Sequence, residues 1–336
     1  MPRGALDREY GPGRRGMLPP VTTSPAARRS AGPVVFLLLL LLSATRWAGP
    51  ATALAAGILF SLAAGGSPWP RRTAVASRWL LQLSVVGLGF GVGLAEVWQA
   101  GREAVIYTPV GILLTLALGT ALGRLLRAPP TTSLLVSFGT AICGGSAIAA
   151  MAPVLKAEDE ETAVSLATVF SLNAAALLLF PPLGHLLGLS QRQFGLWAAL
   201  AIHDTSSVVG ASAAFGTAAL AVGTTVKLAR AVWISPAVLL AAWLKKSEGR
   251  APFPYFIAGF IAAAVLRWRL PAAEPLWSGI AQVARQGLVV TLFLVGTGLT
   301  RAVLRRVGFR PLALGVLLWV VVSVATVGAI LTGLIG

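Results

Sequence analysis

The sequence predicts an all-α polytopic membrane protein, and its composition and its apolar runs lead to that prediction. Hydrophobic residues make up 56% of the 336 residues and charged residues only 11%, whereas soluble domains carry roughly 25% charged residues. Several apolar runs reach the roughly 20 residues that a helix needs to cross the hydrocarbon core of a bilayer. Runs of this length favour helices over the short alternating strands of a membrane barrel.

Charge and cysteine content narrow the function classes. The net charge of +16 comes from basic residues that lie mostly between the apolar runs, so membrane topology explains it better than nucleic-acid binding does. The single cysteine, Cys143, excludes an intramolecular disulfide and a cysteine zinc site. We expect no cofactor and no metal, and the absence of a GxxxxGK[ST] motif argues against an ATP-driven pump.

Along the chain, a basic tail precedes a single membrane domain. Residues 1–32 are rich in Pro, Gly and Arg, a composition typical of disorder, and residues 33–336 form the transmembrane domain. Hydropathy and turn residues divide this domain into about eleven spans. The predicted spans are 33–48, 51–66, 79–97, 104–124, 132–153, 162–187, 194–215, 221–244, 253–267, 281–300 and 311–334.

The distribution of lysine and arginine predicts the orientation. If the N-terminus is cytoplasmic, 19 of these residues lie on the cytoplasmic side and 6 on the outer side, while Lys227 and Arg230 fall inside a span. Cytoplasmic loops carry an excess of Lys and Arg. We therefore predict a cytoplasmic N-terminus, an outer C-terminus and an odd number of spans.

A weak internal repeat relates two parts of the domain. The segment "LSVVGLGFGVGL" at 83–94 resembles "GLVVTLFLVGTGL" at 287–299, and "GILLTLALGTALG" at 111–123 resembles "GVLLWVVVSVATVG" at 315–328. The copies are seven predicted spans apart, so they would cross the membrane in opposite directions, as in the inverted repeats of many secondary transporters. Chance similarity among Gly, Val and Leu is the alternative.

A polar run interrupts the apolar span at 194–215. A charged side chain near the midplane costs roughly 2.5 to 3.5 kcal/mol on insertion scales, so Asp204 must face protein or water. Ser207 is three residues from Asp204 and four from His203, within reach of either on a helix. We predict that this run binds a substrate or a coupling ion, and a polar network that only holds helices together is the alternative. Its residues are His203, Asp204, Thr205, Ser206 and Ser207.

A second irregular stretch lies at the centre of the span at 132–153. It contains Cys143, Gly144, Gly145 and Ser146, and consecutive glycines weaken a helix by about 1 kcal/mol each relative to alanine. A helix interrupted there would expose backbone groups to an ion and present the N-terminus of a half-helix to an anion. Close helix packing through small residues is the alternative.

A third stretch, "GTTVKLARAVWISP" at 223–236, carries two cations inside a span. Lys227 and Arg230 are three residues apart and share a helix face with Thr224. A cationic, hydroxylated face suits an anion pathway. Both cations fall in the outer half of the predicted span, so side chains that reach to the membrane surface are the alternative.

An enzyme would need a different use of these residues. Cys143, His203 and Asp204 could form a nucleophilic triad across two helices. A lone cysteine among glycines is more often a small packing residue. The sequence therefore predicts that the protein is not an enzyme.

Several of these motifs together resemble a known family. The segments "GTAICGGSAIAAMAPVLKA", "HDTSSVVGA", "KLARAVWISP" and "GTGLTRAVLRRVGFRPLALG" are similar to the YeiH-like bacterial membrane family, whose members are often labelled sulfate exporters. The resemblance spans roughly residues 50–334. The positions that match the family motifs are Cys143, Gly144, Gly145, Ser146, His203, Asp204, Thr205, Ser206 and Lys227.

The resemblance has consequences for architecture and location. It implies a multi-pass protein of the bacterial cytoplasmic (inner) membrane. It also implies the inverted repeats and discontinuous helices of the sodium/proton antiporter and bile-acid transporter architecture.

Residues and resemblance together predict a secondary transporter that exports a small anion, such as sulfate or a sulfonate-derived anion, by alternating access. Lys227, Arg230 and the half-helix ends would bind the anion. The hydroxyls of Thr205, Ser206 and Ser207 would orient it. His203 and Asp204, the titratable pair, would hold a coupling proton or sodium ion. The alternative is a channel-like or structural membrane protein whose polar residues only hold helices together.

Overall fold

The computed structural model describes residues 31–245, 255–306 and 308–335, and within these ranges the regular secondary structure is helical. A short 3-10 helix, Pro271–Ala273, precedes the thirteenth α-helix. The α-helices are α1 (Ala31–Ser43), α2 (Pro50–Ala64), α3 (Pro70–Gly89), α4 (Leu94–Leu125), α5 (Pro130–Ala141), α6 (Gly145–Met151), α7 (Asp159–Leu186), α8 (Gln191–Ala201), α9 (Thr205–Phe215), α10 (Thr217–Val232), α11 (Ile234–Lys245), α12 (Tyr255–Arg269), α13 (Glu274–Gly296), α14 (Arg301–Arg306) and α15 (Phe309–Leu331).

The length and composition of these helices confirm an all-α multi-pass membrane protein. Five helical segments of the described chain are long and apolar enough to cross a bilayer. They are Thr108–Leu125, Asp159–Leu186, Thr217–Lys245, Pro271–Gly296 and Phe309–Leu331. The count of eleven spans and the inverted repeat stay predictions. Residues 1–30 of the predicted disordered tail lie outside the described residues, and α1 begins at Ala31.

Some helix boundaries differ from the predicted spans for a local reason. The span predicted at 79–97 corresponds to α3, which begins nine residues earlier at Pro70 and ends at Gly89. Proline suits the first turn of a helix, where its fixed φ matches and no amide hydrogen is needed. Arg71 and Arg72 follow in that turn, and their charge lowers the local hydropathy, so a hydropathy window misses the start.

The helices pack in two groups. The first group comprises α1, α2, α3, α12 and α13, and the second comprises α4, α5, α7 to α10 and α15. The backbones of α2 and α13 touch in the first group, because a Cβ on Gly296 would come within 2.6 Å of the carbonyl oxygen of Leu54. The groups meet mainly where α9 packs against α2 and α13. Small residues at such contacts let membrane helices approach closely.

Aromatic packing fixes α8 within the second group. Trp197 of α8 stacks on Phe180 of α7 with ring centroids 4.2 Å apart. Its indole nitrogen donates a hydrogen bond of 3.0 Å to the carbonyl oxygen of Ser323 in α15. Buried indole groups need such a partner. These contacts hold α8 in place one turn before it ends at Ala201.

Candidate functional site

Two helices of the second group are interrupted inside the protein. The helix that begins as α5 ends at Ala141 and resumes as α6 at Gly145. The helix that begins as α8 ends at Ala201 and resumes as α9 at Thr205. We call residues 142–144 the first break and residues 202–204 the second break.

The two breaks lie against each other. Gly144 has φ +68°, and a Cβ at this position would lie 3.3 Å from both the Cα and the Cβ of Asp204. The sequence does not show whether the two irregular stretches meet, and in the structure they do. We use the name crossing for the two breaks together with the ends of α5, α6, α8 and α9.

Replacing Gly144 with alanine should destabilise the crossing on two grounds. A non-glycine residue at such a positive φ costs roughly 1 to 3 kcal/mol, and the new methyl group would press on the backbone of Asp204. Gly188→Ala is the matched control, because Gly188 has φ +64° but open space where the Cβ would lie. We expect a lower melting temperature in detergent for Gly144→Ala than for Gly188→Ala. Equal melting temperatures would mean that the breaks do not press on each other.

The carboxylate of Asp204 caps α9. Its Oδ2 accepts hydrogen bonds from the backbone N–H of Ser207 at 3.1 Å, from the Ser207 hydroxyl at 3.0 Å and from the Ser206 hydroxyl. Asp204 is half-buried, whereas Ser206 and Ser207 are buried. Helix N-termini attract negative charge, so a resident anion already occupies the start of α9. The predicted reach of Ser207 to Asp204 is confirmed.

Asn173 of α7 holds the second break in place. Its Oδ1 accepts hydrogen bonds from the backbone N–H groups of His203 at 3.2 Å and Asp204 at 3.3 Å. The sequence analysis did not single out this residue. Asn173 is the only asparagine of the chain and stands in the apolar run "SLNAAALLLF", and an isolated amide in such a run was the signal that could have found it.

Lys227 of α10 binds the C-terminal end of α8. Its Nζ donates to the carbonyl oxygens of Ile202 at 2.7 Å and Ala199 at 3.4 Å. Carbonyls at a helix C-terminus lack partners within the helix and carry partial negative charge. A cation at this place therefore satisfies and neutralises the end of α8.

Arg230 joins the C-terminal ends of both interrupted helices. Its Nε donates to Ala141 at 2.7 Å and its Nη2 to Thr140 at 3.4 Å, and both acceptors are carbonyl oxygens at the end of α5. Its Nη1 donates to the carbonyl oxygen of Leu200 in α8 at 2.7 Å. The planar fork of donors suits such multiple bonding.

The two cations do not reach the membrane surface. The exposed fraction is 0% for Lys227 and 3% for Arg230, so the alternative of side chains that extend to the interface is wrong. Their binding of an anion stays a prediction, and in the structure they bind carbonyl groups.

The remaining predicted residues surround these bonds. Cys143, His203 and Thr205 are buried, Gly145 is half-buried, and Ser146 is exposed. Neither ring nitrogen of His203 has a hydrogen-bond partner within the described residues, and the same holds for the hydroxyl of Thr224. No group of three or more His, Cys, Asp and Glu residues in the described ranges could hold a metal ion.

The crossing carries more positive than negative formal charge. Lys227 and Arg230 bond backbone carbonyl oxygens of the crossing, and Asp204 belongs to its second break. The two cations exceed the one carboxylate by a single charge. Partial charges at the two helix C-termini and the two N-termini have opposite signs and roughly equal size, so they leave that excess unchanged.

Comparison with known proteins places the chain in a family. The family model described as conserved hypothetical protein 698 matches residues 34–315. A UPF0324 membrane protein of Geobacter sulfurreducens is 58% identical over 289 residues, which cover 86% of this chain and 93% of that protein. The chain belongs to the UPF0324 family. This confirms the family inferred from the sequence motifs.

Other UPF0324 proteins are similar over nearly the same length. The relative from Bdellovibrio bacteriovorus is 49% identical over 84% of this chain and 89% of its own length. The relative from Porphyromonas gingivalis is 48% identical over 85% of this chain and 88% of its own length. The UPF0324 family match includes both breaks, Asn173 and the two cations of α10. No solved structure matches the chain at a significant level.

Proposed function

We propose that this protein is a secondary transporter that moves a small anion across the membrane by alternating access. One observation carries the proposal, namely the excess positive charge at the crossing of two interrupted helices. Lys227 and Arg230 are buried and bond carbonyl oxygens at the ends of the interrupted helices, and among the residues of the two breaks Asp204 alone carries a carboxylate. Unbalanced charge in a low-dielectric interior is costly, so a bound anion stabilises the site where a bound cation would not.

In this proposal, Asp204 couples the binding of the anion to the binding of a proton. Its carboxylate holds the N-terminal end of α9, a place that an anion would otherwise occupy. Protonation of Asp204 removes that negative charge and raises the affinity of the crossing for the anion. Binding of a proton and binding of the anion then favour each other.

The proposed topology and location come from the sequence. The protein would cross the membrane about eleven times in an inverted repeat. It would lie in a bacterial inner membrane with its N-terminus in the cytoplasm. Sulfate or a sulfonate-derived anion is the candidate cargo, through the resemblance to proteins labelled sulfate exporters. The hydroxyls of Thr205, Ser206 and Ser207 would orient it.

A structural role is the second candidate, and a specific observation favours it. Every hydrogen bond found for Lys227 and Arg230 goes to a backbone carbonyl. Such bonds hold half-helices together without any cargo. A protein of this kind would pass no anion across the membrane.

Counterflow in proteoliposomes separates the two candidates. Liposomes loaded with unlabelled sulfate should take up external radiolabelled sulfate transiently above equilibrium, with a saturable rate. With the membrane potential held at zero by valinomycin and equal potassium on both sides, a channel would equilibrate the label without this overshoot, and a structural protein would match empty liposomes. Lys227→Met should reduce the initial rate at low sulfate by about tenfold or more, the equivalent of 1.4 kcal/mol in binding. Lys245→Met is the control, because Lys245 is exposed at the end of α11.

A further inference from the structure

The hydrogen bonds of Asn173 fix which way its amide points. Two backbone N–H groups, those of His203 and Asp204, donate to the same side-chain atom. Only the carbonyl oxygen of an amide can accept both, because the NH2 group is a donor. The oxygen therefore faces the second break, and the NH2 group takes the other position on the same carbon, beside that break.

Among the residues that the structure describes, the NH2 group of Asn173 has no hydrogen-bond partner. Its Nδ2 is buried and makes no hydrogen bond within the described residues, and the two ring nitrogens of His203, whose backbone N–H bonds Asn173, also lack a partner there. Buried polar groups in folded proteins are nearly always bonded, and an unbonded one costs roughly 1 to 3 kcal/mol. A free donor beside the second break, whose Ile202 carbonyl oxygen bonds Lys227, is an arrangement that suits an anion.

We propose that the side-chain amide of Asn173 binds the transported anion through its N–H groups, with the His203 ring as a second neutral donor. This inference rests on the proposed function. Asn173 has two tasks in it, because its oxygen holds the second break and its nitrogen contacts the cargo. Neutral donors add directed hydrogen bonds without adding charge. The site then favours an anion with several acceptor oxygens over one that only balances charge.

Asn173→Asp removes the donor and keeps an acceptor, but the new carboxyl group can also cancel the excess positive charge, so a raised KM supports the role of Asn173 only together with a sulfate-dependent shift of its NH2 signals. The variant retains an oxygen for the N–H groups of His203 and Asp204 and replaces the NH2 group by a second oxygen. We expect the KM for sulfate counterflow to rise about tenfold or more, as for a loss of 1.4 kcal/mol, with a smaller change in maximal rate. Ser171→Ala is the control on the same helix, because the Ser171 hydroxyl bonds within α7 to the carbonyl oxygen of Ala167.

A second measurement uses the unaltered protein, in case the new carboxyl prevents folding. Because Asn173 is the only asparagine, labelling with asparagine that carries ¹⁵N in its side chain gives a single NH2 group in the NMR spectrum. Addition of sulfate should shift both N–H resonances in a saturable way, at the concentration that saturates transport.

The outcomes separate this inference from the proposed function. Transport by the wild type with an unchanged KM in folded Asn173→Asp, or without any shift of the NH2 signals, would overturn the role of Asn173 alone. If the wild type gives no counterflow with sulfate, nitrate or chloride, the proposed function fails, and this inference fails with it.

Discussion

Replacing Arg230 with methionine should leave little folded protein. The guanidinium group bonds the carbonyl oxygens of Ala141 and Thr140 in one helix and that of Leu200 in the other. Methionine leaves two buried carbonyl oxygens and one partly buried carbonyl oxygen without these donors, at a cost of roughly 1 to 3 kcal/mol for each buried group. That sum is comparable to the roughly 5 to 15 kcal/mol by which a typical protein is stable.

Size-exclusion chromatography and thermal unfolding in detergent measure this effect. Arg230→Met should give a strongly reduced monodisperse peak and a much lower melting temperature than the wild type. Arg124→Met, at the exposed C-terminal end of α4, is the control, and surface changes of this kind usually stay within about 0.5 kcal/mol. Arg230→Lys should fall between them, because an ammonium group lacks the fork that spans both helices. A stable Arg230→Met protein would show that the bonds contribute little.

Replacing Asp204 with asparagine should abolish the response of transport to a pH gradient while the protein stays folded. Asparagine caps helices about as well as aspartate, and its oxygen can still accept from the backbone N–H of Ser207. It carries no charge that a proton could neutralise. In the proposed function, the anion would then bind at any pH, and proton and anion movement would be uncoupled.

The measurement compares sulfate uptake with and without an imposed pH gradient. The ratio of the two rates should differ clearly from one for the wild type and should be close to one for Asp204→Asn. Asp159→Asn, in the exposed first turn of α7, is the control and should keep the ratio of the wild type. An Asp204→Asn protein that still follows the gradient would place the proton elsewhere, and one that unfolds would make Asp204 a structural cap.

The sequence predicted those structural features that depend on the type of residue alone. Composition predicted an all-helical membrane protein, because hydropathy adds up along each run. The glycines after Cys143 predicted an irregular stretch, and the first break ends at Gly144, whose φ of +68° suits glycine. The polar run at 203–207 indicated a site because a carboxylate in an apolar span must have a partner.

The sequence was uninformative where the partner is a backbone group. Arg230 bonds to Ala141, which is 89 residues away, and every residue offers the same carbonyl oxygen. No pattern of side chains marks that acceptor. Asn173 escaped notice for a related reason, since its amide bonds two backbone N–H groups 30 and 31 residues later. Contacts of this kind depend on where the helices end in three dimensions, which no side-chain pattern in the sequence shows.

The bonds of Arg230 also determine how the crossing can move. One guanidinium group is bonded to the ends of α5 and α8, so a displacement of either half-helix is passed to the other. A motion that keeps these bonds would move both breaks, Asp204 and Lys227 together as one rigid unit. Where α9 meets α13, the contact is apolar at Gly210, which packs against the side chain of Leu292. A contact without hydrogen bonds resists sliding less than the bonds of Arg230 resist breaking, so a relative motion of the two groups of helices would leave the crossing intact.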